Sequence, residues 1–449
     1  MASTFKGGMS LIFEILTTSI FGGIAIKAAI KKNGLSTNDS GKIQRIISLS
    51  GLNVKDGANT LTTQLIRKKQ YEWGVEYSYR IPLGRSYEDY LAKQRVLEDG
   101  LSNRRQRITL ADLKELQLDT KIIDNLKTLW NSKLSERKEI DISFDGLLKI
   151  RVYNEPLPLQ VPFVPGVNWR VPVGITRDKN TFRYHDFERI PHMVLGGATR
   201  YGKSNFINGM ITSLLQSEPD HVKFFLIDLK GGIELCDYES IKQTQSIAYE
   251  PEQALVTLQA AYDQMRVIQS RLKFLGKKKV QEAGIKERYF VIIDEVGELN
   301  PSEAIGKADK NLKEGCQKLM SQIARLGAGL GFRQILATQY PVGDVIPRQC
   351  KQNSDAKIAF RVQSAVASRV VLDETGAENL PEIVGRAIYQ TASKREILQT
   401  PLITSEIIQD TLSPYIVEKV EKKEAIVLEK EEEIVIPPRG IDTVSFEIL

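Results

Sequence analysis

The sequence predicts an α/β protein built on a mainly parallel sheet. Three observations carry that prediction. Six short apolar runs read as buried strands: HMVLG (192–196), VKFFLID (222–228), YFVIID (289–294), QILAT (334–338), AKIAF (356–360) and RAIY (386–389). Long helical patterns lie between them. Pro251 to Phe274 carries Leu255, Leu258, Met265, Ile268 and Leu272 on one face, with Gly276 just past its end. Leu312 to Leu326 aligns Cys316, Leu319 and Ile323. Strands of this kind alternating with helices are covered on both faces and pair in parallel. The third observation is a glycine-rich turn between the first run and a helix at Ser204 to Leu215.

The remaining segments divide the 449 residues into five parts. Residues 1–32 are read as an N-terminal hydrophobic helix, because Leu11 to Ile30 runs LIFEILTTSIFGGIAIKAAI before Lys31 and Lys32. About 20 apolar residues span a bilayer, so this helix is a candidate membrane anchor. Glu14 and Lys27 favour the alternative, an amphipathic or buried helix. As an anchor, its flanking lysines would place the rest of the chain on the cytoplasmic face; otherwise the protein is expected in the cytoplasm. Residues 33–64 are rich in Gly, Ser and Asn and are expected to be a mobile connector with one short helix. Residues 65–165 read as a small α+β domain. It holds a strand at Gly74 to Ile81, helices at Ser86 to Leu97 and Leu110 to Trp130, and a hairpin turning at Asp145-Gly146. Pro156, Pro158, Pro162 and Pro165 mark its end. Residues 166–400 form the α/β domain. Residues 401–449 read as an acidic, disordered tail.

Charge follows the same division. The tail holds 5 basic and 11 acidic residues, so residues 1–400 carry +12 of a chain whose net charge is +6. A basic body suggests a polyanionic partner, nucleic acid or a membrane surface. Three scattered cysteines and three histidines argue against a disulfide framework, a zinc site or a His-rich metal site.

The chemistry lies in the glycine-rich turn. Gly197-Ala198-Thr199-Arg200-Tyr201-Gly202-Lys203-Ser204 satisfies G-x4-G-K-S in the required strand–turn–helix context. Its backbone N–H groups and helix N-terminus suit the phosphates of ATP. Lys203 is expected to reach the β- and γ-phosphates and Ser204 to ligate Mg²⁺. Asp294 and Glu295 emerge from the apolar strand YFVIID; Asp294 would hold the metal shell and Glu295 would polarise the attacking water. Gln339, ending the QILAT strand, is a candidate γ-phosphate sensor. These parts describe an ATPase whose acidic strand stands apart from the P-loop strand.

The order of segments then adds a resemblance. After Pro191-His192-Met193-Val194 and the P-loop come LIDLKGGIEL (226–235), VIIDEVGEL (291–299) and IARLGAGLGFRQILATQYP (323–341). KIAFRV (357–362) and SRVVLDETGAENL (368–380) follow. That succession, over roughly residues 165–400, resembles the FtsK/SpoIIIE family of DNA translocases. The LKGG form is similar to that of conjugation-type members from integrative elements and plasmids of Gram-positive bacteria. The resemblance implies a RecA-like motor domain assembled as a hexameric ring that pulls DNA through a central pore. Arg200 and Tyr201 depart from the chromosome-segregating members, which usually carry a small residue at the second position; Gly202, Lys203 and Ser204 are intact.

Partners follow from the same resemblance: DNA, further copies of the chain, a relaxase or conjugation-channel proteins, and a membrane. A ring implies an arginine supplied in trans, and Arg325 and Arg369 are the candidates. Lys307, Lys310, Arg348 and Lys351 follow strands of the sheet and are candidate contacts to DNA phosphates. Lys230 and Glu234 are expected to support a subunit interface or nucleotide relay, with Gly231 and Gly232 making a tight turn. The competing readings are a protein-secretion ATPase and a viral genome-packaging ATPase. A single GKS and a single IIDE disfavour the first, which usually carries tandem modules.

Overall fold

The structure is a computed structural model that describes residues 39–102, 138–177, 182–339, 343 and 345–417. The predicted hydrophobic helix at 1–32, the predicted helix at Leu110 to Trp130 and most of the predicted tail lie outside the described residues. No described helix is long and apolar enough to cross a membrane. The chain divides into two compact units: residues 1–157 with 177–180, and residues 158–176 with 181–449.

The first unit is a four-stranded antiparallel sheet of order β3-β4-β6-β5. Its strands are β3 (Gln64–Tyr71), β4 (Gly74–Arg80), β5 (Ile140–Asp145) and β6 (Leu147–Tyr153). β1 (Val54–Asp56) and β2 (Asn59–Leu61) pair separately. The hairpin turn falls at Gly146, whose φ of +70° suits glycine. Helices α1 (Asp39–Leu49), α2 (Tyr87–Leu91) and α3 (Gln94–Leu101) complete the unit. Alternation along β4 and β6 sends Tyr77, Tyr79, Leu148 and Ile150 into one core with Ile43, Ile47, Leu97 and Leu101.

Two expectations change in this unit. The short helix expected in the connector is α1, but from Asp39 the segment is no mobile link: Ile43 and Ile47, four residues apart, lay one face of α1 in the core of the sheet. The single helix expected at Ser86 to Leu97 is two short ones. Ser86 and Asp89 form a capping box at the start of α2.

The second unit is a ten-stranded sheet of order β11-β10-β12-β13-β9-β14-β15-β16-β7-β8. The strands are β7 (Arg170–Thr176), β8 (Phe182–Asp186), β9 (Met193–Gly196), β10 (Val222–Asp228) and β11 (Thr244–Ala248). They continue with β12 (Arg288–Asp294), β13 (Phe332–Thr338), β14 (Ala356–Phe360), β15 (Arg386–Thr391) and β16 (Lys394–Gln399). From β11 to β14 every pairing is parallel; from β14 to β8 every pairing is antiparallel. The central strands are apolar on both faces. Phe225, Ile227, Val291 and Ile293 join one core, while Phe224, Leu226, Phe290 and Ile292 join the other. Helices α5 (Pro251–Phe274), α6 (Gly306–Leu326) and α8 (Ala365–Leu372) bury side chains in the first core. Helices α4 (Lys203–Ser217) and α9 (Ser405–Leu412) cover the second, and α7 (Arg348–Asn353) leads into β14.

The tail expectation is corrected as far as Val417. Thr404 caps α9, and Ile403, Ile408 and Leu412 are buried in the second core. The apolar spacing of this segment was masked by the charged residues that follow it.

One ionic knot fastens the lower end of the parallel sheet. Glu188 accepts two bonds from Arg288, at 2.7 and 3.0 Å, and one from Arg333 at 2.7 Å. Gln281 adds a fourth at 2.7 Å. Arg288 opens β12 and Arg333 lies in β13. Burial alone would raise the Glu188 carboxyl pKa. The hydrogen bonds from Arg288 and Gln281 and the two guanidinium charges outweigh it and bring it down to about 2. Breaking a buried ionic pair costs about 3–5 kcal/mol. Glu188→Gln is expected near the low end, about 3 kcal/mol, because Glu188 keeps 27% of its side-chain surface exposed. The unfolded carboxyl titrates near 4.3, so the knot stabilises fully above about pH 4.3 and weakens as pH falls toward 2. Melting curves from pH 5 to 3 should show wild type losing more stability than Glu188→Gln; parallel losses would contradict the assignment.

Candidate functional site

The register of the parallel strands decides what meets at their C-terminal ends. β13 pairs with β9 on one side and with β12 on the other. The P-loop strand and the acidic strand are therefore separated by one strand, as the sequence predicted. Their ends, Gly196, Thr338 and Asp294, lie along one edge of the sheet.

The turn after β9 is held by its backbone. Gly197 N–H donates to Thr338 O at 3.3 Å and Ala198 N–H to Arg361 O at 2.9 Å. Gly385 N–H donates to Tyr201 O at 3.0 Å. Arg200 and Gly202 both take positive φ, +73° and +106°. A side chain at Gly202 would press on the Gly385 backbone, with a Cβ only 3.0 Å from its nitrogen. Glycine is needed there on both counts. Arg200 is exposed, while Tyr201 is half-buried against the core. Neither departure disturbs the Gly-Lys-Ser start of α4.

Lys203 is 3% exposed and pairs directly with Asp294, which is fully buried. Burying two charges is tolerated only when they are paired. Asp294 Oδ2 is buried and has no hydrogen-bond partner among the described residues. A buried carboxylate oxygen left open in this way, on an acid paired with Lys203, suits a hard cation with oxygen ligands. The buried acid therefore fits Mg²⁺, which Asp294 and Ser204 would hold.

Glu295 follows Asp294 and adopts φ +63°. A non-glycine residue held there costs about 1–3 kcal/mol and persists where the surroundings enforce it. Here the enforcement is visible. Thr338 Oγ1 donates to Glu295 Oε1 at 2.8 Å, and Gln339 N–H donates to Oε2 at 3.0 Å. Burial raises the Glu295 pKa above the ordinary carboxylate value, and these bonds and the Lys203 charge partly offset it. Gln339 also reaches the P-loop, accepting the Thr199 hydroxyl at 2.9 Å. Sequence reasoning selected Gln339 and missed Thr338.

The LKGG segment is shaped by a further buried acid. Asp228, ending β10 in register with Asp294, accepts N–H bonds from Lys230 at 3.2 Å, Glu234 at 2.9 Å and Leu235 at 3.1 Å. Gly231 and Gly232 take φ +79° and +70°, which makes the tight turn. Asp228 as the organiser of this loop escaped the sequence reading. Its signal is a carboxylate followed, after two intervening residues, by paired glycines.

The other candidates lie elsewhere on the surface. Arg325, in the last turn of α6, and Arg369, on α8, are both exposed. Lys307, Lys310 and Arg348 are exposed but stand on helices α6 and α7, not on loops. Lys351 is engaged: it pairs with Asp373 at 2.6 Å and donates to Arg369 O at 2.9 Å. Arg348 and Lys351 line a cavity with Lys357 and Gln390. Pairing of Ala356 with Met193, and of Lys357 with Gln390, places this cavity at the opposite end of the strands from the P-loop. His185 and His192 are buried, and burial holds both near a pKa of about 3, so they stay neutral.

Residues 167–326 match the FtsK/SpoIIIE family model. The chain carries an FtsK/SpoIIIE domain. The DNA translocase FtsK of Chlorobaculum tepidum is 34% identical over 248 residues, 51% of this chain and 30% of that protein. The DNA translocase FtsK of Streptococcus agalactiae serotype V is 30% identical over 321 residues, 67% of this chain and 36% of that protein. The chain thus spans about a third of the length of these curated relatives. Among solved structures, the monomer form of the pCW3 conjugation coupling protein TcpA with ATPγS superposes with a TM-score of 0.56 at 19% identity. It covers 84% of this chain and 99% of that one. That likeness concerns the fold. The FtsK/SpoIIIE domain here is a P-loop ATPase domain, and Lys203 and Asp294 are its buried ion pair.

Proposed function

We propose that the chain is an ATP-driven DNA translocase. The observation that carries this reading is the pairing of Lys203, which opens the helix after the β9 turn, with Asp294 at the end of β12, beside Glu295, within an FtsK/SpoIIIE domain. Lys203 and the P-loop amides bind the ATP phosphates. Ser204 and Asp294 would hold Mg²⁺, which when bound neutralises charge on the phosphate oxygens. Glu295 accepts a proton from the attacking water, which makes the water nucleophilic. Gln339, tied to Thr199, is placed to sense the γ-phosphate.

The finer reading is a ring motor, a hexamer, that moves DNA through its pore during transfer of a mobile element or plasmid. Either Arg325 or Arg369, both exposed, completes a neighbour's site. Lys307, Lys310 and Arg348 supply sequence-tolerant phosphate contacts; Lys351 joins them only by leaving Asp373. A relaxase or channel protein supplies specificity, and the segment at 11–30 tethers the motor to the cytoplasmic face of the membrane. What supports this reading is the DNA translocase activity of the relatives together with the basic body of the chain. The experiment that tests it is ATP hydrolysis measured with and without DNA. DNA should stimulate turnover, and turnover indifferent to DNA would sink the reading.

A further inference from the structure

Two adjacent residues at the end of β13 each touch both halves of the ATP site. Thr338 accepts the first P-loop amide, Gly197 N–H, on its carbonyl at 3.3 Å, and its hydroxyl donates to Glu295 Oε1 at 2.8 Å. Gln339 accepts the Thr199 hydroxyl on its side chain at 2.9 Å and gives its N–H to Glu295 Oε2 at 3.0 Å. Thr338 is fully buried, and its pairing with Gly196 fixes its height on the strand. A β-branched side chain has few χ1 choices, so the backbone sets where the hydroxyl points. Gly297 leaves the room: a methyl group there would stand 3.2 Å from Glu295 Oε1 and 3.8 Å from Thr338 Oγ1.

We propose that Thr338 is a positioning residue for hydrolysis: its hydroxyl aims the Glu295 carboxylate, and the P-loop fixes where Thr338 stands. The proposal rests on the ATPase reading above. The hydroxyl donates to Glu295, so losing it should lower turnover and spare nucleotide binding. Valine keeps the shape and the strand preference but donates nothing. A hydrogen bond to a charged group is worth enough that its loss should cost about 10- to 100-fold in kcat.

The test uses the full chain, with steady-state ATPase kinetics and binding of a fluorescent ATP analogue. Thr338→Val should lose about 10- to 100-fold in kcat, with KM and analogue affinity within about twofold of wild type. Thr338→Ser, which restores the donor, should recover to within about threefold of wild type. Thr338→Val added to Glu295→Gln should lower the rate no further. Thr338→Ala serves as the second loss variant should valine prevent folding. Wild-type turnover in the loss variants would overturn the proposal alone. So would an equal loss in Thr338→Ser, an additive double mutant, or a loss carried by weaker analogue binding. A wild-type chain that binds the analogue but hydrolyses no ATP would overturn the ATPase reading and this proposal together.

Discussion

Glu295→Gln is expected to bind ATP about as well as wild type and to hydrolyse it about 10²–10⁴-fold more slowly. The residue ends a buried strand, takes a left-handed backbone at φ +63°, and points its carboxylate at donors from β13. Glutamine preserves the size and the hydrogen-bonding oxygen but cannot take a proton from water. The backbone amides expected to bind phosphate lie in the turn after β9, and glutamine leaves them untouched, so affinity should hold. Single-turnover hydrolysis and equilibrium binding of the same preparation separate the two effects. A rate within tenfold of wild type would remove Glu295 from the role of base. The expected variant is also useful in itself, since it would stall with ATP bound.

Lys203→Ala should show the opposite pattern, losing binding first. Lys203 is 3% exposed and its only described ion-pair partner is the fully buried Asp294. Alanine removes the phosphate contact and leaves a buried carboxylate without its counter-charge. Truncating one member of a buried charge pair costs about 2–5 kcal/mol at an interface. At about 1.4 kcal/mol per decade that is about 30- to 3,000-fold in ATP affinity. Titration with ATP by calorimetry checks it. Unchanged affinity would mean that the Lys203–Asp294 pair is structural only.

The α/β domain was legible because its strands are buried on both faces. Runs such as VKFFLID and AKIAF match β10 and β14 end to end, since a continuous apolar run bounded by turns has few alternatives. Helix α5 was equally clear, with Pro251 at its first turn and Gly276 just beyond it. The strands missed were those lacking that signature. β8 (FRYHD) lies at the sheet edge, and β16 (KREILQ) carries charge. β7 is interrupted by Pro172 and by a register shift before Gly174, whose φ is +149°. In the site, Lys203, Ser204, Asp294, Glu295 and Gln339 announce themselves by position relative to strand ends. Thr338 does not, because a threonine inside a strand reads as an ordinary strand former until the structure shows its hydroxyl on Glu295. The Glu188 knot was illegible for a different reason: its partners lie 100 and 145 residues away. No local pattern encodes a contact at that separation.

The measurement that bears most directly on the claim of a DNA motor is steady-state ATP hydrolysis by residues 33–449, with duplex DNA, with single-stranded DNA and with neither. Lys203→Ala and Glu295→Gln run beside wild type as controls. Strong stimulation by one form of DNA, weakened by salt and lost in both variants, is the predicted result and names the substrate. Hydrolysis that depends on Lys203 and Glu295 but ignores DNA would contradict it, leaving an ATPase whose work is done on something else.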